Sequence, residues 1–300
     1  MFIFVSFLLV VVALEIFLQL VVKYFRKEFQ WLITEADDTP IFDKTAFDKF
    51  MLTSFDKELG WTKKPNTDGL ERGKFGDIEF HIDGNGSRHN PIGLETSIVT
   101  FGDSYTFCRQ VEDCQTWQVY LSKILDDKVL NFGIGNYGVD QAFLSYQRQI
   151  LPEDTKVVIL GFVPETICRI QSSWKHYLEF GNTFAFKPRF TIEGGQLKLH
   201  NNLLTGAEDF YRLNKIILKA QKNDAFYKNK FRRLQFRFPY LLRYLSNFKR
   251  STNLLYLLVK RKFFNLIKKS NSAIENAPFS KIMHENIMAS HNMYSDKNAC

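Results

Sequence analysis

Apolar residues follow three different rhythms along this chain. From Phe2 to Val22 they run almost without break, "FIFVSFLLVVVALEIFLQLVV", with Glu15 the one charge and Gln19 the one amide. At 1.5 Å per residue such a helix is about 31 Å long, enough to cross a hydrocarbon core of about 30 Å. A secretory signal would carry a basic lead and a small-residue cleavage site, and this stretch has neither. The pattern therefore predicts an uncleaved transmembrane anchor over residues 1–27 and a single-pass membrane protein. Lys23, Arg26 and Lys27 follow the span, so the positive-inside rule favours a cytoplasmic main domain. Three charges leave the side open.

The second rhythm is mixed. Residues 28–95 carry "KKPNTDG" and "HIDGNGSRHNP", whose Pro-Asn, Asp-Gly and Asn-Gly signals predict short strands joined by tight turns. The third rhythm, from residue 97, is regular. "IVTF", "KVLNF" and "KVVILGF" are short apolar runs of the buried-strand type, the last too apolar to predict a wet face. Between them, "TWQVYLSKILDD" repeats apolar residues at helical spacing, with Trp117, Tyr120, Leu121, Ile124 and Leu125 predicted on the buried face. "VDQAFLSYQRQILP" predicts a second helix that stops before Pro152. Strand, helix, strand, helix, strand at this spacing means parallel βαβ units with right-handed crossovers and helices on both faces. "RFTIEGGQLKL", within residues 184–200, predicts a hairpin turning at Gly194-Gly195. Residues 206–270 predict basic helices.

Charge changes the picture in that last block. The chain carries a net +8, yet residues 201–270 hold 17 Lys/Arg against 3 Asp/Glu, so the remainder is mildly acidic. A solvated basic face and a membrane-surface segment both fit its Phe- and Leu-rich composition. No helix-turn-helix, RRM or zinc pattern accompanies the charge, so nucleic acid is not an expected partner. Cys108, Cys114, Cys168 and Cys300 form no C-x-x-C pair and no Cys/His cluster at metal-ligand spacing. Free buried thiols are expected over a Cys108–Cys114 bridge, and no metal or organic cofactor is implied. His81, His89, His176 and His200 read as surface residues.

Candidate chemistry sits in "SIVTFGDSYTFC". A strand ends at Gly102-Asp103-Ser104, and ligands of parallel sheets bind outside the carboxyl ends of the strands. Ser104 there is exposed to substrate, with Asp103 holding the turn by side-chain-to-backbone bonds. A serine hydroxyl needs a base and oxyanion donors to act as a nucleophile. "NFGIGNYG" matches G-x-G-x-x-G formally, but no acidic residue ends the next strand, so a dinucleotide site is not the reading.

"TFGDSYTFC", then "VLNFGIGNYGVDQ", then "VVILGF" resembles the SGNH/GDSL hydrolase superfamily, above all its membrane-anchored bacterial members. The likeness covers roughly residues 55–170 and includes "ELGWTKKPN". It implies a three-layer α/β/α fold of SGNH or flavodoxin-like type over residues 96–300, with the basic helical segment as an insertion. It also implies serine-based hydrolysis or acyl transfer on an ester of carbohydrate or lipid, with Ser104 as nucleophile and its N–H as one oxyanion donor. The family's second donor, a glycine, falls on Asn136 beside Gly135, and asparagine is the non-glycine residue that best tolerates positive φ. The family's asparagine after the third strand has no counterpart; Thr166 and Glu165 stand nearest. The family's base lies in D-x-x-H near the C-terminus, which occurs nowhere here. His284 and His291 are the late histidines, and His291, with Met288 rather than Asp three residues before it, is the only in-chain candidate. A chain that ends before the last family block, a divergent base and an inactive scaffold are the three expectations this leaves. A basic membrane-surface adaptor is a further reading.

Overall fold

The computed structural model describes residues 2–26, 32–73, 76–93, 95–178 and 182–270. His284, His291 and Cys300 lie outside the described residues. The chain divides into two compact units, Met1–Glu35 with Leu234–Cys300, and Ala36–Arg233. The first unit begins with helix α1 (Phe2–Phe25), in which Phe2–Tyr24 is long and apolar enough to cross a membrane.

The second unit is mixed α/β. It opens with α2 (Lys44–Thr53), whose first turn is capped by the Asp43 carboxylate accepting from the Ala46 N–H at 2.6 Å. Two antiparallel pairs follow, β1 (Phe55–Asp56) with β2 (Gly60–Trp61), and β3 (Thr67–Gly73) with β4 (Gly76–Ile82). The predicted α/β rhythm then appears as β5 (Ile98–Gly102), α3 (Ser104–Phe107), α4 (Trp117–Leu125), β6 (Val129–Gly133), α5 (Val139–Arg148) and β7 (Val157–Gly161). β5 lies between β6 and β7, parallel to both, so the sheet order is β6-β5-β7. Val99, Phe101, Leu130 and Phe132 form its core, with the Phe101 and Phe132 rings stacked at 5.1 Å.

Residues 36–93 are not a detached extension. The Arg88 backbone bridges Ile82 of β4 on one side and Asn131 of β6 on the other, which stitches the turn-rich segment to the sheet. Beyond β7 come α6 (Pro164–Ile167), then the hairpin β8 (Arg189–Glu193) and β9 (Gln196–His200), then α7 (Leu213–Asn223). Gly194 and Gly195 both take positive φ, the requirement of a tight two-residue hairpin turn. A single turn, α8 (Arg232–Leu234), closes the series.

Two elements form where predicted but face differently. α4 buries Gln118, Val119 and Ser122, while Trp117, Tyr120, Ile124 and Leu125 are exposed, Ile124 at 78%. Its inward side is fixed by hydrogen bonds to α3, to the sheet and to the segment before β5. Gln118 Nε2 donates to the Thr106 carbonyl (2.8 Å), and Ser122 Oγ accepts from the Val129 N–H (2.9 Å) and from Asn90 Nδ2 (3.0 Å). Turning the helix over would leave those buried groups unpaired, at about 1–3 kcal/mol each. β7 is an edge strand, and Val157, Val158 and Leu160 are exposed; among the described residues no strand pairs with its outer side.

His176 is a correction to the surface reading. It is 2% exposed, stacked on Trp174 at 4.6 Å, with Nε2 donating to the Asp37 carbonyl at 2.8 Å. Trp174 also stacks on Phe186 at 5.0 Å, and Tyr177, Tyr227 and Phe231 complete the cluster. Burial, only partly opposed by the Asp37 carbonyl, holds the imidazole below its ordinary 6.5. The unfolded chain therefore takes up a proton near pH 6.5 that the folded chain does not, and stability falls as pH drops below that value. His81 runs the opposite way. Its bond to Asp113 raises its pKa, so its stabilisation holds at low pH and fades as pH rises through the raised value, but its half-exposed ring makes that contribution small. Thermal melts between pH 7 and pH 5 should show the midpoint falling on acidification, with a clearly shallower fall in His176→Phe. Equal slopes would exclude His176 as the group responsible.

The block predicted as one basic segment, 206–270, is divided between the units. Residues up to Arg233 belong with the α/β sheet; those from Leu234 belong with α1. There, α9 (Tyr240–Ser246) and α10 (Phe248–Ser270) share a core with the C-terminal half of α1, built from Leu18, Val22, Leu32, Phe236 and Leu258. The Glu15 carboxylate, the one charge of the apolar stretch, accepts from the Leu241 N–H at 3.1 Å.

Candidate functional site

The site is built on a row of three glycines. Register places Gly102 of β5 opposite Gly133 of β6 and Gly161 of β7, all at the carboxyl ends of their strands. α3 sits on that row. A Cβ on Gly102 would lie 2.1 Å from Thr106 Oγ1, one on Gly161 2.5 Å from the same atom, and one on Gly133 2.4 Å from the Phe107 nitrogen. Hydrogen in place of side chain lets the turn after β5 rest directly on the sheet edge. Ser104 is its first helical residue.

Asp103 caps that turn, Oδ1 accepting from the Tyr105 N–H at 2.9 Å. Its Oδ2 is buried without a hydrogen-bond partner, as is Nδ2 of Asn131 in β6. Ser104 is half-buried, and its hydroxyl makes no hydrogen bond among the described residues. The described histidines are engaged elsewhere: His81 with Asp113, His89 with Asp83, His176 with Asp37 and His200 with Thr191. His291 lies outside the described residues.

The turn after β6 carries Gly135 and Asn136. It starts from an Ile134 N–H bond to the Gly102 carbonyl (3.0 Å), which ties it to the strand that delivers Ser104. Asn136 has φ +71°, the left-handed region its side-chain type tolerates. The indole N–H of Trp61 donates to the Gly135 carbonyl at 3.1 Å, and the Tyr137 hydroxyl donates back to the Trp61 carbonyl at 2.6 Å. In a trans peptide the C=O and the following N–H point in opposite directions. Fixing the Gly135 oxygen on Trp61 therefore fixes the Asn136 N–H, pointing away from the indole. Gln141 braces the same loop, donating to the Leu59 carbonyl (2.7 Å) and accepting from the Gly138 N–H. Trp61→Phe deletes the donor together with part of the indole, whose ring centroid lies 5.9 Å from that of Tyr137. The lost bond alone should lower stability in a urea titration by about 0.5–1.5 kcal/mol, with lost packing adding to it; a shift near zero would mean the indole bond does not hold the turn.

Thr166 stands after β7, buried, with its hydroxyl donating to the Val163 carbonyl at 2.8 Å. Its one O–H is thus committed to main chain, in a different role from the oxyanion donor that the family likeness implies at this position.

Charged residues that the sequence pattern did not reveal surround the turn after α3. Arg88, 1% exposed, donates from Nε to Asp113 (2.7 Å) and from its remaining nitrogens to the carbonyls of Phe107, Cys108 and Val111. Arg109 lies across Gly135, its Cδ 3.5 Å from where a Cβ would stand, and its guanidinium binds Glu71 at 2.6 Å. Glu71 also pairs with Lys63 at 3.6 Å, and burial lowers the Lys63 ammonium's pKa. Trp61 and Lys63 both fall within "ELGWTKKPN", while Glu71, Arg109 and Asp113 had no such signal. Cys108, Cys114 and Cys168 are free thiols, but Cys114 and Cys168 are exposed rather than buried; partial burial pushes the Cys108 thiol's pKa up. Among the described residues no three His, Cys, Asp or Glu side chains cluster as a metal ion would require. Compared with known proteins, the chain matches no family model, no curated protein and no solved structure.

Proposed function

We propose that the Ala36–Arg233 unit is a serine-dependent acyl-transfer module of SGNH type, with the three-layer arrangement of that superfamily, working beside a membrane on esters of carbohydrate or lipid. The observation that carries this reading is Ser104 on the glycine row at the end of the central strand, next to a turn whose Asn136 N–H is oriented by Trp61. In this mechanism Ser104 Oγ attacks the acyl carbonyl while its proton passes to a base. The developing oxyanion is held by the N–H groups of Ser104 and Asn136. Collapse breaks the ester C–O bond, and the departing alkoxide recovers the proton. Water or a carbohydrate hydroxyl then takes the acyl group from Ser104.

The unpartnered Ser104 hydroxyl and the committed Thr166 hydroxyl favour a second reading, an SGNH-fold scaffold that has lost catalysis. Fluorophosphonate labelling of the full chain in detergent separates the two. Labelling that is lost in Ser104→Ala is the expected result, and in Trp61→Phe it should slow by about tenfold, less than the roughly 10²–10³-fold cost of deleting an oxyanion donor. A folded wild-type chain that takes no label would establish the scaffold instead.

A further inference from the structure

The unit that contains α1 has a second exposed apolar element, α10. Between Leu234 and Ser270 there are nine Lys/Arg and no Asp/Glu. α10 has two apolar faces. One, through Leu254 and Leu258, joins the core shared with α1 and α9. The other is exposed: Phe248, Tyr256, Val259 and Phe263 stand at i, i+8, i+11 and i+15, a single stripe on a 3.6-residue helix. Lys249 and Lys260 flank the stripe on one side and Lys262 on the other, and the Lys260 ammonium lies 5.8 Å from the Tyr256 ring centroid. α9 adds exposed Leu242 and Leu245, one turn apart.

Depth gives the stripe its occupant. The core partners of α10 on α1 are Leu18 and Val22, which precede Tyr24, the end of the apolar stretch, by six and two residues. On a helix that is about 3–9 Å of rise. An amphipathic helix lying in a bilayer surface buries its apolar face about 5–10 Å into the boundary between headgroups and acyl chains. α10 therefore sits at interfacial depth whenever α1 spans a membrane. The start of α9 reaches deeper, its Leu241 N–H donating to the Glu15 carboxylate nine residues before Tyr24, about 13 Å of rise.

We propose that α10 lies in the membrane surface on the C-terminal side of α1 and binds anionic lipid. Its aromatic stripe enters the acyl boundary, and its lysines reach sideways along the stripe to the headgroups, aliphatic stems in the apolar layer and ammonium groups in the charged one. This surface is independent of whether Ser104 is a nucleophile.

The test uses the full chain in vesicles of phosphatidylcholine with or without phosphatidylglycerol, with the four native cysteines replaced by serine and a spin label on Val259→Cys. Asn265→Cys, exposed and about 140° round the helix from the centre of the stripe, is the control. In anionic vesicles the label at 259 should collide with oxygen and be shielded from a water-soluble nickel chelate, while the label at 265 meets the chelate. Lys249→Gln with Lys260→Gln should lower the docked-to-free ratio by about fivefold per lysine. Equal chelate access at 259 and 265 in anionic vesicles would overturn the proposal. So would a label at 259 shielded from oxygen and chelate alike, which would mean that protein covers the stripe. Indifference to phosphatidylglycerol would overturn the recognition of anionic lipid.

Discussion

Asp113→Ala is expected to cost the Ala36–Arg233 unit about 3–5 kcal/mol, because it leaves the Arg88 guanidinium buried without a counter-charge. Arg88 is shut off from water, and Asp113 is its one carboxylate partner among the described residues. In a unit of roughly 200 residues a loss of this size lowers the melting midpoint by about 6–20 °C. The Asp113 carboxylate also accepts from the His81 main-chain N–H (3.0 Å) and ring (2.6 Å), so three donors lose their acceptor together. Asp113→Asn should cost less, since an amide oxygen can still face Arg88, but its NH₂ then opposes the His81 N–H. The consequence reaches the candidate site through Arg88 itself. Its side chain holds three carbonyls of the segment that follows α3, and its own N–H donates to the Asn131 carbonyl at 2.7 Å. Loss of Asp113 therefore loosens the segment that leads away from Ser104. A midpoint within a degree or two of wild type would show that the carbonyls alone satisfy the guanidinium.

That ion pair also marks where sequence reasoning stopped. The pattern of apolar runs sufficed for β5, β6, β7, the β8–β9 hairpin and α1, because a buried strand and a long apolar helix are local properties. Ser104 was found the same way, as the polar residue where an apolar run breaks at glycine. α4 was found but read inside out. Counting apolar spacing assumes that the apolar side is the buried one, whereas Gln118 and Ser122 turn inward to bond main chain of α3 and β6. Arg88 with Asp113, and Trp61 with Gly135, are likewise pairs between distant segments, and neither member carries a periodic signal. His176 was invisible for the same reason: its ring bonds the Asp37 carbonyl and packs on Phe231, both far away in sequence. The glycines of "GIGNYG" looked like a dinucleotide fingerprint because spacing records where glycines are, and not what lies against them.

What lies against Gly133, Gly102 and Gly161 is α3, and alanine substitutions should separate their contacts. None of the three has positive φ, so the constraint is room rather than backbone conformation. At Gly161 the clash is with one flexible atom, Thr106 Oγ1 at 2.5 Å, and every other neighbour is at 3.7 Å or more. At Gly102 a Cβ meets the Gly161 carbonyl oxygen at 2.5 Å and Thr106 Cβ at 2.8 Å besides Oγ1. At Gly133 it meets main chain, the Phe107 nitrogen at 2.4 Å and the Thr106 carbonyl carbon at 2.7 Å. Gly102→Ala and Gly133→Ala should each cost about 3 kcal/mol, the upper end of overpacking losses, since relief requires parting β5 from β7 or lifting α3 off the sheet. Thr106→Ala in the same chain should recover most of the loss in Gly161→Ala and little of it in Gly133→Ala, because it removes Oγ1 and leaves the main chain where it is. Denaturant titrations of the single and double variants decide the matter. Equal rescue at 133 and 161 would mean that α3 is free to move, and a serine carried on a movable turn is not one held for attack.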